Sequence, residues 1–369
     1  MLDTLRINGF RTFKEYAVED LGRVNLFVGR NNSGKTTILE AAEMLLAADS
    51  AAALVGSAMR RGEMHVQREK DRPDRYVDVS HLFCGHICDI GASFRISGAE
   101  SDGHLEMACE VYPAEGARDA GGELFSELDI GEPSLSLSIR HSRGEKPVTF
   151  PLVLSGAVSL DVVRRQSLRP SPEERPVSVS FVRSEALDSV ELQEFWDSIA
   201  LTEEEPNVIE SLRILEPRID RIAFLGSRSY YRYGASSGGI YIKLRDLDDR
   251  IPLGSLGDGI RHLLTLSLAV SRSRHGVVMV DEIDTGLHHS VMSDMWRVLI
   301  STAERLDVQV FATTHSLDCV RSLAWLANTQ PDLCRGTRMH RVDSERPRTV
   351  VYSPDEISTA AAQHVELRG

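Results

Sequence analysis

Residues 29 to 36 read Gly-Arg-Asn-Asn-Ser-Gly-Lys-Thr and fit the pattern G-x-x-x-x-G-K-[ST] without deviation. No other stretch constrains the fold as much, because such a loop works only between a strand and a helix. Its glycines let the backbone curl until successive N–H groups face an anion, and the following helix adds its positive end. "RVNLFVG" at 23–29 supplies an apolar, turn-bounded strand in front of it. Behind it, Ile38, Leu39, Ala42, Leu45 and Leu46 recur at helical spacing. With Gly at about 7% of positions, accident produces the pattern in roughly 1% of chains this long. Gly29, Asn31, Asn32, Ser33 and Gly34 are therefore read as a phosphate cradle. Lys35 would reach the β- and γ-phosphates, the Thr36 hydroxyl would ligate Mg²⁺, and Thr37 would adjoin them in the first helical turn.

Three further segments end where ligands gather in an open α/β sheet, at the carboxyl ends of strands. In "VVMVDEID" (277–284), four apolar residues deliver Asp281 and Glu282; Asp281 is placed to hold Mg²⁺ and Glu282 to polarise an attacking water. "VQVFATTHS" is a second buried strand, and His315 after it can donate to a γ-phosphate oxygen. "LGSLGDGIRHLL" places Ser255, Gly257 and Gly259 at a helix start, which suits a second γ-phosphate contact. One chain already has a P-loop for its own nucleotide, so this second binder makes most sense if it serves a neighbouring subunit.

The rest of the chain suggests four parts. Residues 1–60 form the first half of a nucleotide-binding core. Residues 61–184 hold short β-rich segments ("YVDVSHLF", "ASFRISG", "HLEMACEVY", "PSLSLSIR", "VTFPLVL", "VSVSFV") separated by Gly, Pro, Ser and Asp clusters, and read as an inserted antiparallel lobe. Residues 185–239 read as a helical segment ending near Leu225, and 240–369 as the second half of the core. "SPEERP" at 171–176 is read as a turn. No heptads run long enough for an extended coiled coil.

Composition sets limits. The chain has 369 residues, 42% hydrophobic and 26% charged, which is ordinary for a folded globular protein. A net charge of -13 lowers the expectation of a dedicated nucleic-acid binder, although a local basic stripe can suffice. Five cysteines, an odd number in a long chain, argue against a disulfide framework. No signal peptide or membrane span is visible, the most apolar stretch at 41–59 being interrupted by Glu43 and Asp49, so the cytoplasm is expected. "HLFCGHIC" gathers His81, Cys84, His86 and Cys88, but its spacing departs from the usual zinc patterns and packing is the reading preferred. "RRQSLRPSPEERP" and "RMHRVDSERPR" are basic and read as solvated faces before DNA or partner contacts. His288 and His289 are read as interface packing, and no G-x-S-x-G hydrolase elbow is present.

The ordered set of motifs resembles the ABC-type ATPases, and among them the repair and defence branch of SMC, Rad50, RecF and overcoming-lysogenization-defect (OLD) proteins. "LRINGFRTFKEYAVEDLGRVNLFVGRNNSGKTT" is similar to that branch's start, "LGSLGDG" to the signature loop, "DEIDTGLH" to Walker B plus the D-loop, and "TTHS" to the H-loop switch. "FWDSIALTEEE", "LRILEPRIDRIAFL" and "WRVLISTAERLDVQVFATTHSLDC" resemble short, stand-alone prokaryotic AAA/ABC-type ATPases. The likeness covers residues 1–50 and 190–325 well and the β-rich insertion poorly. It implies an ABC-type head with an inserted β-rich lobe, binding ATP and Mg²⁺, in which Lys35, Thr36, Asp281, Glu282 and His315 of one subunit face Ser255 and Gly257 of another. It puts Asp284 in the D-loop across the dimer axis and Arg11 where an early basic residue approaches nucleotide. Gln67 is a weak candidate for the Q-loop. A compact insertion replaces the long coiled coil of SMC and Rad50, and residues 327–369 are too few for the metal-binding nuclease domain of OLD proteins.

The expectation is an ATP-hydrolysing switch that closes as an ATP-sandwich dimer, in nucleic-acid surveillance or phage defence with a separate nuclease or toxin-like effector. The alternative is a non-hydrolysing, ATP-gated scaffold that sequesters such an effector. A transporter ATPase subunit is a more distant third.

Overall fold

The computed structural model describes residues 1–47, 50–67, 74–100, 103–114, 135–144, 146–153, 156–167, 177–183, 189–225 and 239–362. They form two compact units, and neither is a continuous stretch of chain. The first comprises Met1–Leu21, Asn32–Val177 and Asp343–Thr349; the second comprises Gly22–Asn31, Ser178–Val342 and Val350–Gly369.

The first unit is built on an antiparallel sheet. Strands β1 (Leu5–Phe10) and β2 (Phe13–Val18) form a hairpin, joined by β6 (Ser93–Glu100), β7 (Gly103–Pro113), β8 (Leu135–His141) and β9 (Val148–Leu152) in the order β2-β1-β6-β7-β8-β9. The strand period of two fixes its register: Leu105, Met107, Cys109 and Val111 of β7 are buried, and a one-residue slip would turn all four to solvent. β1 was expected to run with the nucleotide-binding core. It pairs instead along β6, with Ile7 opposite Ile96, so the β-rich segments are continuous with the amino-terminal hairpin. A smaller sheet, in the order β10-β5-β4, comes from β4 (Met64–Gln67), β5 (Asp74–Asp78) and β10 (Ala157–Ser159).

Helix α1 (Lys35–Leu46) packs against β1, β6 and β7, and α2 (Ser50–Arg60) packs against α1 and α3 (Leu160–Ser167). The spacing of Ile38, Leu39, Ala42, Leu45 and Leu46 predicts one buried face, yet nearly all of α1 is buried, including Glu40 and Glu43. Buried carboxylates survive only with partners. Glu40 takes Arg61, at 2.8 and 3.0 Å, and Glu43 takes Arg60.

The second unit holds a parallel sheet in the order β11-β15-β16-β3-β17-β18. Its strands are β3 (Val24–Val28), β11 (Val179–Val182), β15 (Val277–Val280), β16 (Gln309–Thr314), β17 (Thr337–Arg341) and the antiparallel β18 (Val350–Tyr352). β3, β15 and β16 are buried at every residue, as their mainly apolar sequences require of strands covered on both faces, and the buried Asn25 and Gln309 are hydrogen-bonded to Gly22. Helices α4 (Ser189–Asp197), α5 (Glu204–Leu212), α6 (Asp258–Arg272), α7 (His289–Arg305), α8 (Leu317–Thr329), α9 (Pro331–Cys334) and α10 (Pro354–Ala362) complete the unit. A three-stranded antiparallel sheet, β12 (Ile219–Leu225), β13 (Gly239–Leu244) and β14 (Arg250–Pro252), joins them. The core includes Leu264, Leu268, Trp296, Val310 and Leu323, each fully buried. Burying one such side chain contributes roughly 1.5–3 kcal/mol.

Two further elements differ from the sequence reading. "VSVSFV" becomes β11, which pairs parallel to β15 in the second unit and takes no part in the antiparallel sheet. "IDRIAFL", read as the end of a helix, is the strand β12, with Ile222 opposite Ile242. Pro217 cannot continue a helix, and α5 has already stopped at Leu212. Among the described residues no helix is long and apolar enough to cross a membrane.

Candidate nucleotide site

All five parallel strands end on one edge of the sheet. Val28 lies opposite Thr314, and Val280 opposite Ala312, so Gly29–Asn31 leave β3 beside the end of β16. His315 follows β16, and Asp281 and Glu282 follow β15, one strand further. Parallel topology thus collects the loop start, the two acids and the histidine at the edge where α/β sheets hold ligands.

Thr313 organises the acids. Its hydroxyl donates to Asp281 Oδ1 at 2.7 Å and accepts the Glu282 N–H at 2.9 Å, while its carbonyl accepts the Ile283 N–H at 3.0 Å. Asp281 is also tied from the other side, its N–H donating to Val182 O at 2.9 Å. Between these anchors Glu282 adopts φ 56, a left-handed conformation that costs a non-glycine residue about 1–3 kcal/mol. His315 Nε2 stands 3.8 Å from Glu282 Oε1, and both side chains keep 40% or more of their surface open, enough for water or a ligand to enter. Thr314 repeats the device one residue on: its hydroxyl donates to Asp284 and accepts the Ser316 N–H at 2.9 Å. Sequence reasoning did not single out Thr313 or Thr314. Their signal was there, as two hydroxyl residues closing an otherwise apolar strand.

The Gly257 region sits differently. Ser255 lies exposed in a short turn, and Gly257, at φ 92, begins α6 with open space around the position of a side chain. Two residues on, the backbone is crowded. A Cβ at Gly259 would stand 2.6 Å from Gly286 O. The buried His262 donates through Nε2 to Ile283 O at 2.9 Å, and burial holds its ring pKa below the usual value. The start of α6 is therefore fastened to the 283–287 turn that carries Asp284. Gly259→Ala should displace that turn, cost about 1–3 kcal/mol and lower the thermal midpoint by several degrees. Thermal melting of the variant checks this, and an unchanged midpoint would mean that the turn yields freely.

In the first unit, Asn32 at φ 60 and Gly34 at φ 98 curl the loop into α1. Among the described residues no side chain caps the helix, and its first turn holds no acid. Lys35, Thr37 and Ser33 are buried, Thr36 is half-buried, and Asn31 and Asn32 are exposed. Among the described residues the buried Ser33 hydroxyl has no hydrogen-bond partner, a polar group of the kind a ligand satisfies. A Cβ at Gly34 would lie 2.2 Å from Phe13 Cζ, so the ring of Phe13 backs the loop and demands glycine there.

Arg11 is engaged with protein groups. Nη1 donates to Glu63 at 2.8 Å, Nη2 to Ser57 at 3.0 Å, and Nε lies 2.8 Å from Glu40, close without the alignment of a hydrogen bond. Gln67 ends β4, and its side chain lies outside the described residues, as does the 168–176 part of the first basic stretch. In the second basic stretch, Arg346 and Arg348 face Asp343 and Glu19 and His340 is buried. His288 caps α7 through Ser290 and packs on His289, their ring centroids 4.0 Å apart. Among the described residues no three His, Cys, Asp or Glu side chains converge as a metal cage. Cys88 in particular is buried, and burial pushes its thiol up to about 11, with Asp78 and Asp89 adding to the shift.

Two family models match the chain: "AAA ATPase domain" over residues 1–83, and "AAA domain, putative AbiEii toxin, Type IV TA system" over residues 157–320. An ATP/GTP phosphatase of Helicobacter pylori is 19% identical over 339 residues, covering 88% of this chain and 87% of its own. An uncharacterised protein of Methanocaldococcus jannaschii is 42% identical over 48 residues, 13% of this chain and 22% of that one. Among solved structures, an SMC head bound to the C-winged helix domain of ScpA covers 95% of this chain and 98% of its own, at TM-score 0.48 and 14% identity. The SMC head domain from Thermotoga maritima covers the same shares at TM-score 0.42 and 13% identity.

Proposed function

We propose that the chain is an SMC/Rad50-like ABC-type ATPase, two copies of which close around two ATP molecules with Mg²⁺ and part again on hydrolysis. The observation that carries the reading is the exposure of Ser255 and Gly257: a phosphate-binding loop at a helix start with open space before it suits a ligand held by another copy. The P-loop fits a bound triphosphate through the unpartnered Ser33 hydroxyl, the uncapped start of α1, and the cradle that the ring of Phe13 keeps clear of any side chain.

In this reading Gly29, Asn31, Asn32, Ser33, Gly34, Lys35 and Thr37 hold the phosphates. Thr36 and Asp281 hold Mg²⁺, which when bound neutralises charge on the terminal phosphates. Glu282 accepts a proton from the attacking water, Thr313 positions it, and His315 donates to the γ-phosphate. Asp284 faces the dimer axis. Arg11 would first have to leave Glu40 and Glu63 to reach a phosphate, so its primary role is to clamp α1. Contacts that exist only in the closed pair let ATP favour closure and hydrolysis undo it. The match over 157–320 to the "putative AbiEii toxin, Type IV TA system" family supports a defence task, to which this reading adds a cytoplasmic setting, a separate nuclease or toxin-like effector and nucleic acid as a further partner. The same match favours, second, a non-hydrolysing scaffold for such an effector, a reading that measurable steady-state hydrolysis would remove.

Sedimentation with Mg²⁺ and a non-hydrolysable ATP analogue tests closure. The unaltered chain should dimerise, and Ser255→Arg should stay monomeric while binding one nucleotide per chain. Equal dimerisation of the variant would refute the shared site.

A further inference from the structure

We propose that His81 and His86 form a two-histidine site for a divalent transition metal of the zinc class on the first unit, with Asp78 positioning His81. The two Nδ1 atoms stand 3.2 Å apart. Two nitrogens bound to one tetrahedral ion at about 2.0–2.1 Å are held roughly 3.3–3.4 Å from each other. Packing does not explain the approach. The rings meet edge to face at 66°, His81 keeps 44% of its side chain open and His86 is exposed. Without a metal the contact is one N–H···N bond if both rings are neutral, and a repulsion if both are charged.

The backbone prepares the pair. His81 lies in the turn Ser80–Leu82, anchored by the buried Leu82 and Phe83 and by the Cys84 N–H, which donates to Gly9 O at 2.8 Å. His86 follows Gly85 at φ 90 and itself sits at φ 58, a conformation that costs a histidine energy and here turns it toward His81. Asp78 supplies the outer partner. Its Oδ1 accepts the Ser80 N–H at 2.9 Å and the Ser80 hydroxyl at 2.6 Å. That leaves Oδ2 facing His81 Nε2 at 3.8 Å and His65 Nε2 at 3.4 Å. At 3.8 Å the Asp78 carboxylate acts on the far nitrogen by charge and not by a hydrogen bond, and that charge favours the tautomer with its proton on Nε2 and its lone pair on Nδ1, the arrangement of metal-binding histidines. Cys84 and Cys88 do not join, since no third such ligand converges on the pair among the described residues. Water would complete the sphere, which makes the site exchangeable, and imidazole ligands select Zn²⁺, Ni²⁺ or Cu²⁺ over Mg²⁺.

The test is calorimetric titration of Zn²⁺ into the full chain, tag-free and nucleotide-free, with Co²⁺ absorption as a second readout. One ion per chain is expected. His81→Gln and His86→Asn should each weaken it at least tenfold, Asn being chosen because it tolerates the left-handed backbone. Asp78→Asn should weaken it by about 10–100-fold, and His289→Ala should leave it unchanged. No Zn²⁺ binding by the unaltered chain, or undiminished binding in either histidine variant, would overturn the proposal. Circular dichroism identifies any variant that misfolds, and the other histidine variant then decides.

Discussion

Glu282→Gln should lower steady-state ATP hydrolysis by about 10²–10⁴-fold while leaving nucleotide affinity nearly intact. The amide keeps the size of the side chain but cannot accept a proton from water. What fixes residue 282 is main-chain: its N–H to the Thr313 hydroxyl and its left-handed φ. Both survive the exchange, so the loss would report chemistry and not collapse of the loop. His315, 3.8 Å from the same carboxylate, would lose a charged neighbour and keep its place at the end of β16. Phosphate release measures the first effect. Sedimentation with ATP measures its companion, because a pair that cannot hydrolyse should accumulate closed. Turnover within a few-fold of the unaltered chain would move the general base to another residue.

Gly34→Ala should abolish nucleotide binding and destabilise the first unit together. A methyl group there meets Phe13 Cζ at 2.2 Å and Cε2 at 2.8 Å. Phe13 cannot withdraw cheaply, since it is buried and stacked on Tyr16 with ring centroids 4.2 Å apart. The backbone adds its own penalty, φ 98 being a region that side chains disfavour. Overpacking and strain together should exceed about 2 kcal/mol. A fluorescent ATP analogue and thermal melting read the two effects. Adding Phe13→Leu should recover part of the stability but not the binding, because it relieves the clash and leaves the φ conflict. Full recovery of binding in that double variant would show that sterics alone select glycine.

What the sequence disclosed follows from how local each signal is. β3, β15 and β16 were legible as mainly apolar runs followed by Gly29, Asp281 and His315, and α1, α6 and α7 by their helical spacing. The acids and His315 were legible because a parallel sheet delivers strand ends to one edge. Partner choice was not. Residues 177–181 alternate apolar and polar, which fits an antiparallel lobe as well as the edge of a parallel sheet; only the pairing of Val179–Val182 with β15 decides. In Ile219–Leu225 the apolar residues recur at a spacing of three, which imitates a helix, and tertiary pairing with β13 overrode it. Thr313 and Phe13 stayed unread because their role is to brace another residue, and that relation exists only once the chain has folded.

Strand order also has a consequence for biosynthesis. β3 leaves the ribosome long before its two neighbours, β16 and β17; the Asn25 amide donates to Val310 O, 285 positions later. The nascent P-loop therefore spends most of translation without the strands that flank it. A chain stalled before residue 337 carries the motif without its complete sheet.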